Sequence, residues 1–365
     1  MYGEVERGAR KGRGAVTNRS GRYEARQRVQ VDDGWGHDWS EDQSELDAPA
    51  VATTVSADAS RKVITRNASP DVPFDRSINP YRGCEHGCIY CFARPTHAWL
   101  GLSPGLDFET KIFAKYDAAA LLERELAHPS YKPNVITLGA NTDPYQPVER
   151  DLGITRQILE VLWRARHPVA IVTKSRLVLR DLDLLAPMAE ARLVKVLVSV
   201  TTLDRTLART MEPRAATPAR RLEAVRGLAA AGVPTGVLAA PMIPALNDDE
   251  LEAILEASAK AGASSAGYVL LRLPLEIGPL FEEWLEAHFP DRKARVLNLV
   301  RETRGGRLYE SAFGLRQKGR GVYAELLKRR FALACKRLGL NKSDWALDTT
   351  QFRRPAVDEP QLSLF

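Results

Sequence analysis

Residues 169–200 read VAIVTKSRLVLRDLDLLAPMAEARLVKVLVSV, and this stretch decides the fold. The apolar runs Val169–Thr173 and Leu193–Val200 have the length and β-branched content of buried strands, and Leu177–Ala189 between them has helical spacing. Two such strands joined by a helix form a parallel unit, because parallel strands need a crossover connection and are covered on both faces. The stretch therefore predicts an α/β fold.

The same pattern repeats on both sides of this unit. Further strands are predicted at Asn134–Gly139, Thr235–Ala240 and Gly267–Leu273, and one strand before residue 84 brings the count to about six strand–helix units. The intervening helices are predicted at Ala118–Ala127, Ile154–Ala165, Ala219–Ala231, Asp248–Ala261 and Leu280–His288. Six units are too few for a closed eight-stranded barrel and predict an incomplete one, although a doubly wound sheet would give the same linear pattern. In both architectures, functional residues follow the carboxyl ends of the strands.

The composition is that of an ordinary folded protein and excludes several classes. Of 365 residues, 44% are apolar and 27% charged, no stretch approaches eighteen apolar residues, and the N-terminus has no apolar segment. We therefore expect neither a membrane span nor a signal peptide, and predict a cytoplasmic protein. Four cysteines are too few for a disulfide scaffold, and three of them fall within eight positions, which indicates metal chemistry in a reducing compartment.

Charge is distributed unevenly at the N-terminus. Residues 1–30 hold eight basic and three acidic residues, a net charge of +5, whereas residues 31–60 hold eight acidic and no basic residues, a net charge of −8. With little apolar periodicity, residues 1–65 are predicted to form a disordered charged arm. The barrel is predicted over residues 66–290, a helical extension over 291–345 and a flexible tail over 346–365.

Residues 84–91 read CEHGCIYC, which places Cys84, Cys88 and Cys91 on one short loop. Thiolates suit zinc or an iron–sulfur cluster. A structural zinc site would need a fourth ligand such as His86, and a four-cysteine cluster would have to recruit the distant Cys335. The third alternative is a 4Fe-4S cluster with three protein ligands and one open iron.

With Tyr90 directly before the third cysteine, this spacing resembles the signature of the radical S-adenosylmethionine (radical SAM) enzymes. The stretches INPYRGCEHGCIYCFARPTH (78–97), SVTTLD (199–204) and APMIPALND (240–248) resemble the branch related to spore photoproduct lyase, also described as DNA repair photolyase-like. The resemblance covers roughly residues 70–290. It implies a partial (βα)6 TIM-like barrel in which Cys84, Cys88 and Cys91 hold the 4Fe-4S cluster. S-adenosyl-L-methionine would bind the open iron, and an electron from a low-potential donor would cleave it to methionine and a 5′-deoxyadenosyl radical.

The resemblance also implies contacts to S-adenosylmethionine at the strand ends. The expected cofactor-binding residues are Thr142 and Asp143 for the ammonium, Lys174 for the carboxylate, Ser199 for the ribose or carboxylate, and also Tyr90 and Arg214. Glu212 and Arg214 would reach the ligand or pair with each other, and main-chain groups of Pro241–Pro244 lie where the family contacts adenine. Tyr145 and Tyr268 are candidates for relaying a radical. Each position also has an ordinary structural explanation, as a turn, a strand end or a packing residue.

One difference from the lyases concerns the hydrogen-atom donor. Spore photoproduct lyase uses an additional cysteine near its active site, whereas Cys335 lies in a predicted basic helix outside the barrel and is expected to be a buried structural residue. This difference puts thymine-dimer repair itself in doubt for this chain.

The C-terminus suggests partners. Its last residues, Gln361, Leu362, Ser363, Leu364 and Phe365, resemble the motif by which bacterial DNA polymerases and repair proteins bind the sliding clamp. Basic residues that would contact phosphates are Arg316, Lys318, Arg320, Lys328, Arg329, Arg330, Lys336 and Arg337.

The leading prediction is a radical SAM enzyme acting on DNA or another nucleic acid. The alternatives are a radical SAM enzyme acting on RNA, a protein or a metabolite, and a non-enzymatic, zinc-stabilised nucleic-acid-binding protein.

Overall fold

The structure, a computed structural model, describes residues 12–24, 51–343 and 345–356. Its strands are β1 (Thr54–Ala57), β2 (Ile64–Arg66), β3 (Arg76–Ile78), β4 (Tyr81–Arg82), β5 (Lys111–Ala114), β6 (Ile136–Leu138), β7 (Val169–Thr173), β8 (Val194–Ser199), β9 (Thr235–Met242) and β10 (Ser265–Leu270). Its α-helices are α1 (Leu106–Thr110), α2 (Ala118–Ala127), α3 (Glu149–Leu152), α4 (Ile154–Arg164), α5 (Leu182–Glu190), α6 (Arg205–Met211), α7 (Pro218–Ala230), α8 (Leu251–Lys260), α9 (Ile277–His288), α10 (Pro290–Thr303) and α11 (Gly321–Leu338).

A seven-stranded sheet forms the centre of the molecule, in the order β10-β9-β8-β7-β6-β3-β2. The strands from β10 to β3 pair in parallel, and β2 pairs antiparallel with β3 at one edge. The order follows the chain without the reversal that a doubly wound sheet requires. The fold is therefore a mixed α/β fold with a singly wound parallel sheet, consistent with a partial barrel. A second sheet, in the order β1-β5-β4, lies beside it.

Helix packing follows the sequence pattern, with one local exception. Ile154, Ile158 and Leu162, four residues apart on α4, are all buried against the sheet. The predicted helix over Leu177–Ala189 is instead a 3-10 turn followed by α5, because the Ser175 side chain caps the turn by accepting a hydrogen bond from the backbone N–H of Leu177. Within the described ranges, no helix is long and apolar enough to cross a membrane.

The predicted disordered arm is wrong for two of its segments. Residues 12–24 are packed, with Ala15 and Val16 buried. Residues 51–65 contain β1, which pairs with β5, and most of β2, which pairs with β3. Residues 12–24 are held by hydrogen bonds to distant side chains, and residues 51–65 are held by strand pairing. The low apolar content of these segments does not reveal such long-range contacts. The other arm residues, 1–11 and 25–50, lie outside the described residues.

The predicted flexible tail is likewise wrong for residues up to 356. Residues 345–356, here called the C-terminal strap, run along the amino end of the parallel sheet. Arg353 N–H donates to the Ala165 carbonyl at 2.8 Å, and the Phe352 ring lies 5.6 Å from the rings of both Tyr131 and His167. The clamp-like residues 361–365 lie outside the described residues.

Candidate cofactor site

The three cysteines lie on the loop that follows β3 and β4, at the carboxyl end of the parallel sheet. Cys84 and Cys88 are buried, Cys91 is half-buried, and all three are free thiols. Gly83 and Gly87 have φ angles of 79° and 67°, the left-handed region that glycine adopts without strain, so the chain can turn tightly before and between the first two cysteines.

Two backbone hydrogen bonds fix this loop to its surroundings. Cys84 N–H donates to the Phe108 carbonyl at 2.9 Å, and Ile89 N–H donates to the Met211 carbonyl at 3.0 Å. The loop is therefore held both by α1 and by the end of α6.

The chemistry of these donors fits an iron–sulfur cluster. Burial raises the pKa of the Cys84 thiol well above its usual range, and Asp143, Cys88 and Cys91 raise it further. Three mutually interacting thiols, two of them buried, become stable thiolates only beside a strongly cationic centre. Among the described residues, no three His, Cys, Asp or Glu side chains converge on one metal ion. A four-iron cluster does not require such convergence, because each cysteine binds a different iron.

Asp143 connects two strand ends to the cysteine loop. Its carboxylate accepts hydrogen bonds from the Thr173 hydroxyl and the Lys174 backbone N–H, both at 2.7 Å, and lies 3.4 Å from His86 Nδ1. Burial alone would raise the pKa of Asp143, but His86 and these two donors hold it at about 2. Asp143 is thus a charged, largely buried group, and His86 lies beside it.

Tyr90 is anchored by a buried ion pair on the opposite side of the loop. Its hydroxyl donates to the Glu212 carboxylate, which also accepts from Thr201 Oγ1 at 2.7 Å and pairs with Arg221. The Lys174 ammonium lies 5.7 Å from the centre of the Tyr90 ring. Asp143 and Lys174 therefore lie near the cysteine loop that carries Tyr90.

Glu212 and Arg214 do not pair with each other. Glu212 pairs with Arg221, while Arg214 donates to Glu85 at 2.9 Å and is about one-third exposed at its side chain. The pairing alternative is therefore wrong, because the chain turns between the two residues and aims them at different partners.

The remaining predicted residues have hydrogen-bond or packing partners within the protein. The Thr142 hydroxyl donates to the Tyr81 carbonyl at 2.7 Å, and the Ser199 carbonyl accepts from Arg221 at 3.2 Å. The buried Tyr145 hydroxyl donates to Asp181 at 3.1 Å. Tyr268 packs against Phe331 of α11 with ring centres 4.8 Å apart, and Cys335 is buried on the same helix. The structure thus places Cys335 on α11 and directs Tyr268, from strand β10, toward the same helix and not toward the cysteine loop.

Two amides that sequence reasoning missed hold the main chain of the site. Gln146 donates to the Gly83 carbonyl at 3.2 Å and accepts from Glu85 N–H at 2.9 Å. Asn247 donates to the carbonyls of Thr201 and Pro241 and accepts from the backbone N–H of Ile243 at 2.6 Å. Both amides lie within stretches that stand out in the sequence, DPYQP and APMIPALND. Only the fold shows that the two side chains are fully buried and must therefore be hydrogen-bonded.

The fold is an α/β fold with a singly wound parallel sheet, and three free cysteines follow its first parallel strand. The family described as the Radical SAM superfamily matches residues 78–257, and the chain belongs to this superfamily. It is therefore an enzyme, and its cofactors are a 4Fe-4S cluster and S-adenosylmethionine. The membership favours the iron–sulfur interpretation over zinc.

The chain is also similar to uncharacterized relatives in sequence and to spore photoproduct lyase in fold. An uncharacterized protein of Mycobacterium tuberculosis is 37% identical over 263 residues, which cover 72% of this chain and 74% of that protein. An uncharacterized protein of Methanocaldococcus jannaschii is 26% identical over 224 residues, which cover 60% of this chain and 79% of that protein. A mutant of spore photoproduct lyase has a TM-score of 0.56 at 17% identity, covering 78% of this chain and 80% of that chain, and so shares the fold. The same enzyme complexed with dinucleoside spore photoproduct gives a TM-score of 0.54.

Proposed function

We propose that Cys84, Cys88 and Cys91 bind three irons of the 4Fe-4S cluster and that the enzyme acts on DNA or another nucleic acid. The observation that carries the proposal is the position of three free thiols at the carboxyl end of the sheet, where Asp143 and Lys174 follow neighbouring strands. The bound cluster and S-adenosylmethionine would supply reductive cleavage to methionine and a 5′-deoxyadenosyl radical, which takes a hydrogen atom from the substrate.

The chain's own residues would orient S-adenosylmethionine. The Lys174 ammonium is the group for its carboxylate, since the Lys174 backbone is already fixed by Asp143 while its side chain extends over Tyr90. Thr142 donates its hydroxyl proton to Tyr81 and so keeps lone pairs that accept from the ligand's ammonium, near the negative charge of Asp143. Ser199 and Arg214 are proposed as further polar contacts, Arg214 through the guanidinium N–H groups that Glu85 leaves free.

Anaerobic reconstitution tests this proposal directly. Wild-type protein loaded with iron and sulfide, reduced and mixed with S-adenosylmethionine should release 5′-deoxyadenosine, which chromatography measures. Cys88→Ala should lose both the cluster and this product, whereas the matched control Cys335→Ala, a buried cysteine on α11, should keep both. Stoichiometric zinc with negligible iron in protein purified without air would contradict the proposal.

The nucleic-acid substrate is supported by a region beside Cys91. Arg272 lies 4.3 Å above the exposed Phe92 ring, and Arg316 lies 4.8 Å above the exposed Phe313 ring. Because Arg272 interacts electrostatically with both Arg316 and Cys91, the two pairs occupy one region near the cluster. Exposed aromatic rings with stacked guanidinium groups are typical of sites that bind unpaired bases. Spore photoproduct lyase has been solved with a dinucleoside photoproduct, which favours this class over the protein or metabolite alternatives.

Three further proposals concern the surroundings of the enzyme. A low-potential electron donor would reduce the cluster, and the need to keep the free thiols reduced favours a cytoplasmic location. Residues Gln361–Phe365 would bind a bacterial sliding clamp as an extended peptide. Unchanged clamp affinity after deletion of residues 361–365 would remove that partner.

A further inference from the structure

We propose that residues 12–24, here called the N-terminal strap, are part of the cluster site: they cover the cysteine loop, and Arg94 and Glu109 are the positioning residues that fasten them to it. The proposal rests on the ligation of the cluster by this loop. It assigns a role to a segment that lies 60 residues or more before the first cysteine and has no motif of its own.

Arg94 holds the cysteine loop through hydrogen bonds to its main chain. Its fully buried guanidinium donates to the Cys88 carbonyl at 2.8 Å and the Gly87 carbonyl at 3.0 Å. It also donates to the carbonyls of Pro104 and Gly105 at 3.0 and 2.9 Å. A single rigid fork therefore fixes the peptide units on both sides of the Cys88 α-carbon, which sets the direction of the thiol.

Glu109 joins Arg94 to the N-terminal strap. Its carboxylate is fully buried, pairs with Arg94 at 2.5 Å, and accepts from the backbone N–H groups of Gly14 at 3.0 Å and Ala15 at 2.8 Å. Arg13 donates to the Glu109 carbonyl at 3.0 Å. Because a buried carboxylate must be satisfied by donors, removal of the strap would leave Glu109 with unpaired oxygen lone pairs.

The strap touches the loop itself. A β-carbon added to Gly14 would lie 1.9 Å from the Gly87 carbonyl oxygen, so only glycine allows this approach of the two backbones. Next to it, Ala15 is fully buried in the apolar cluster that contains Cys88 and Leu106. The strap thereby keeps solvent from the side of the loop that carries Cys88.

The far end of the strap is fastened to the opposite side of the molecule. Thr17 donates to Glu283 at 2.6 Å, Arg19 pairs with Glu283 at 3.0 Å, and Arg22 pairs with Glu276 at 2.5 Å. Glu283 lies on α9, which follows β10, whereas Glu109 lies on α1, which follows the cysteine loop. The strap therefore spans the gap between the helices that follow the first and last parallel strands of the open sheet.

The test compares how fast the reconstituted cluster is lost in air. Gly14→Ala forces the strap away from Gly87 and should speed the decay of visible cluster absorbance about tenfold, the size of effect seen when outer contacts of a metal site are lost. Gly278→Ala is the matched control, since its new β-carbon meets only ordinary contacts at 3.6 Å or more. It should decay at the wild-type rate.

Two further variants keep the proposal testable if Gly14→Ala fails to fold. The double variant Thr17→Val/Arg22→Gln removes two of the three side-chain contacts that hold the far end, and its cluster should decay faster than that of wild type with an unchanged circular dichroism spectrum. Glu109→Gln leaves the Arg94 charge uncompensated beside the loop and should make the midpoint potential of the cluster less negative, an effect that a purely structural role would not produce.

The outcomes separate this inference from the proposed function. If the wild-type cluster forms and decays at the same rate in wild type, Gly14→Ala and the double variant, the role of the strap is overturned and the proposed ligation stands. Failure of wild-type protein to bind iron would instead overturn the ligation on which both proposals rest.

Discussion

Among individual residues, Glu212 is predicted to be a charge near the site whose removal lowers stability strongly. Glu212 and Arg221 are both buried, so Glu212→Gln leaves a buried guanidinium without its counter-ion. Breaking a buried pair in this way costs about 3–5 kcal/mol. We expect that decrease in the free energy of unfolding, measured by denaturant titration of the apo-protein.

The control for this prediction is Glu223→Gln. Glu223 also pairs with arginines, Arg176 and Arg220, but all three side chains are exposed, and exposed pairs contribute little. Equal destabilisation by the two substitutions would show that the Glu212–Arg221 pair has no special role.

At the same scale, sequence reasoning found residues that carry a motif and missed their partners. The cysteines, Tyr90 and Asp143 stand in a recognisable local pattern, and the structure brings them together. Arg221 lies among other basic residues of α7, where a sequence offers no means of telling a buried arginine from an exposed one. Its partner Glu212 is distant enough that only the fold pairs them.

At the scale of elements, a buried histidine that packs against the C-terminal strap makes stability depend on pH. His167 lies beside Phe352 of the strap, and burial lowers the pKa of His167 to about 4. The unfolded chain therefore binds this proton more tightly than the folded one, with an ordinary pKa near 6.5. The stabilisation is complete above about pH 6.5 and is lost as the pH falls toward 4.

We therefore expect the apo-protein to lose about 2 kcal/mol of unfolding free energy through His167 between pH 7.5 and pH 5. Denaturant titrations at the two pH values should show a smaller difference in His167→Gln, whatever its stability at pH 7.5. The matched control is His128→Gln at an exposed histidine, which should retain the wild-type difference. An undiminished pH difference in His167→Gln would contradict the assignment to this residue.

Elements with their own apolar pattern were predictable from the sequence. Elements that are stabilised by contacts with distant parts of the chain were not. β7 and α2 have the bounds that the sequence predicts. By contrast, the two-residue β4 and both straps exist because of hydrogen bonds and ring contacts to distant parts of the chain. Periodicity within a segment carries no information about such contacts.

For the whole molecule, among the described residues, the two straps lie away from the Cys91 side of the cysteine loop. The N-terminal strap covers the Cys88 side, and the C-terminal strap lies at the amino end of the sheet, whereas Cys91 is half-buried beside Phe92 and Arg272. With a net charge of +6, the chain favours a polyanionic substrate at the Cys91 side. We predict that Phe92→Ala and Phe313→Ala each weaken binding of a single-stranded oligonucleotide by about 1–3 kcal/mol, because stacking on a base is lost.

Arg272→Gln should act differently, through charge. If Arg272 neutralises one phosphate, the slope of log K against log salt concentration should become shallower by about 0.7. Fluorescence anisotropy titrations at several salt concentrations measure both quantities. Leu333→Ala removes an exposed apolar side chain from α11 and should leave affinity and slope unchanged. If the two phenylalanine variants bind as tightly as Leu333→Ala does, the substrate does not stack in this region, and a protein or metabolite substrate becomes the better explanation.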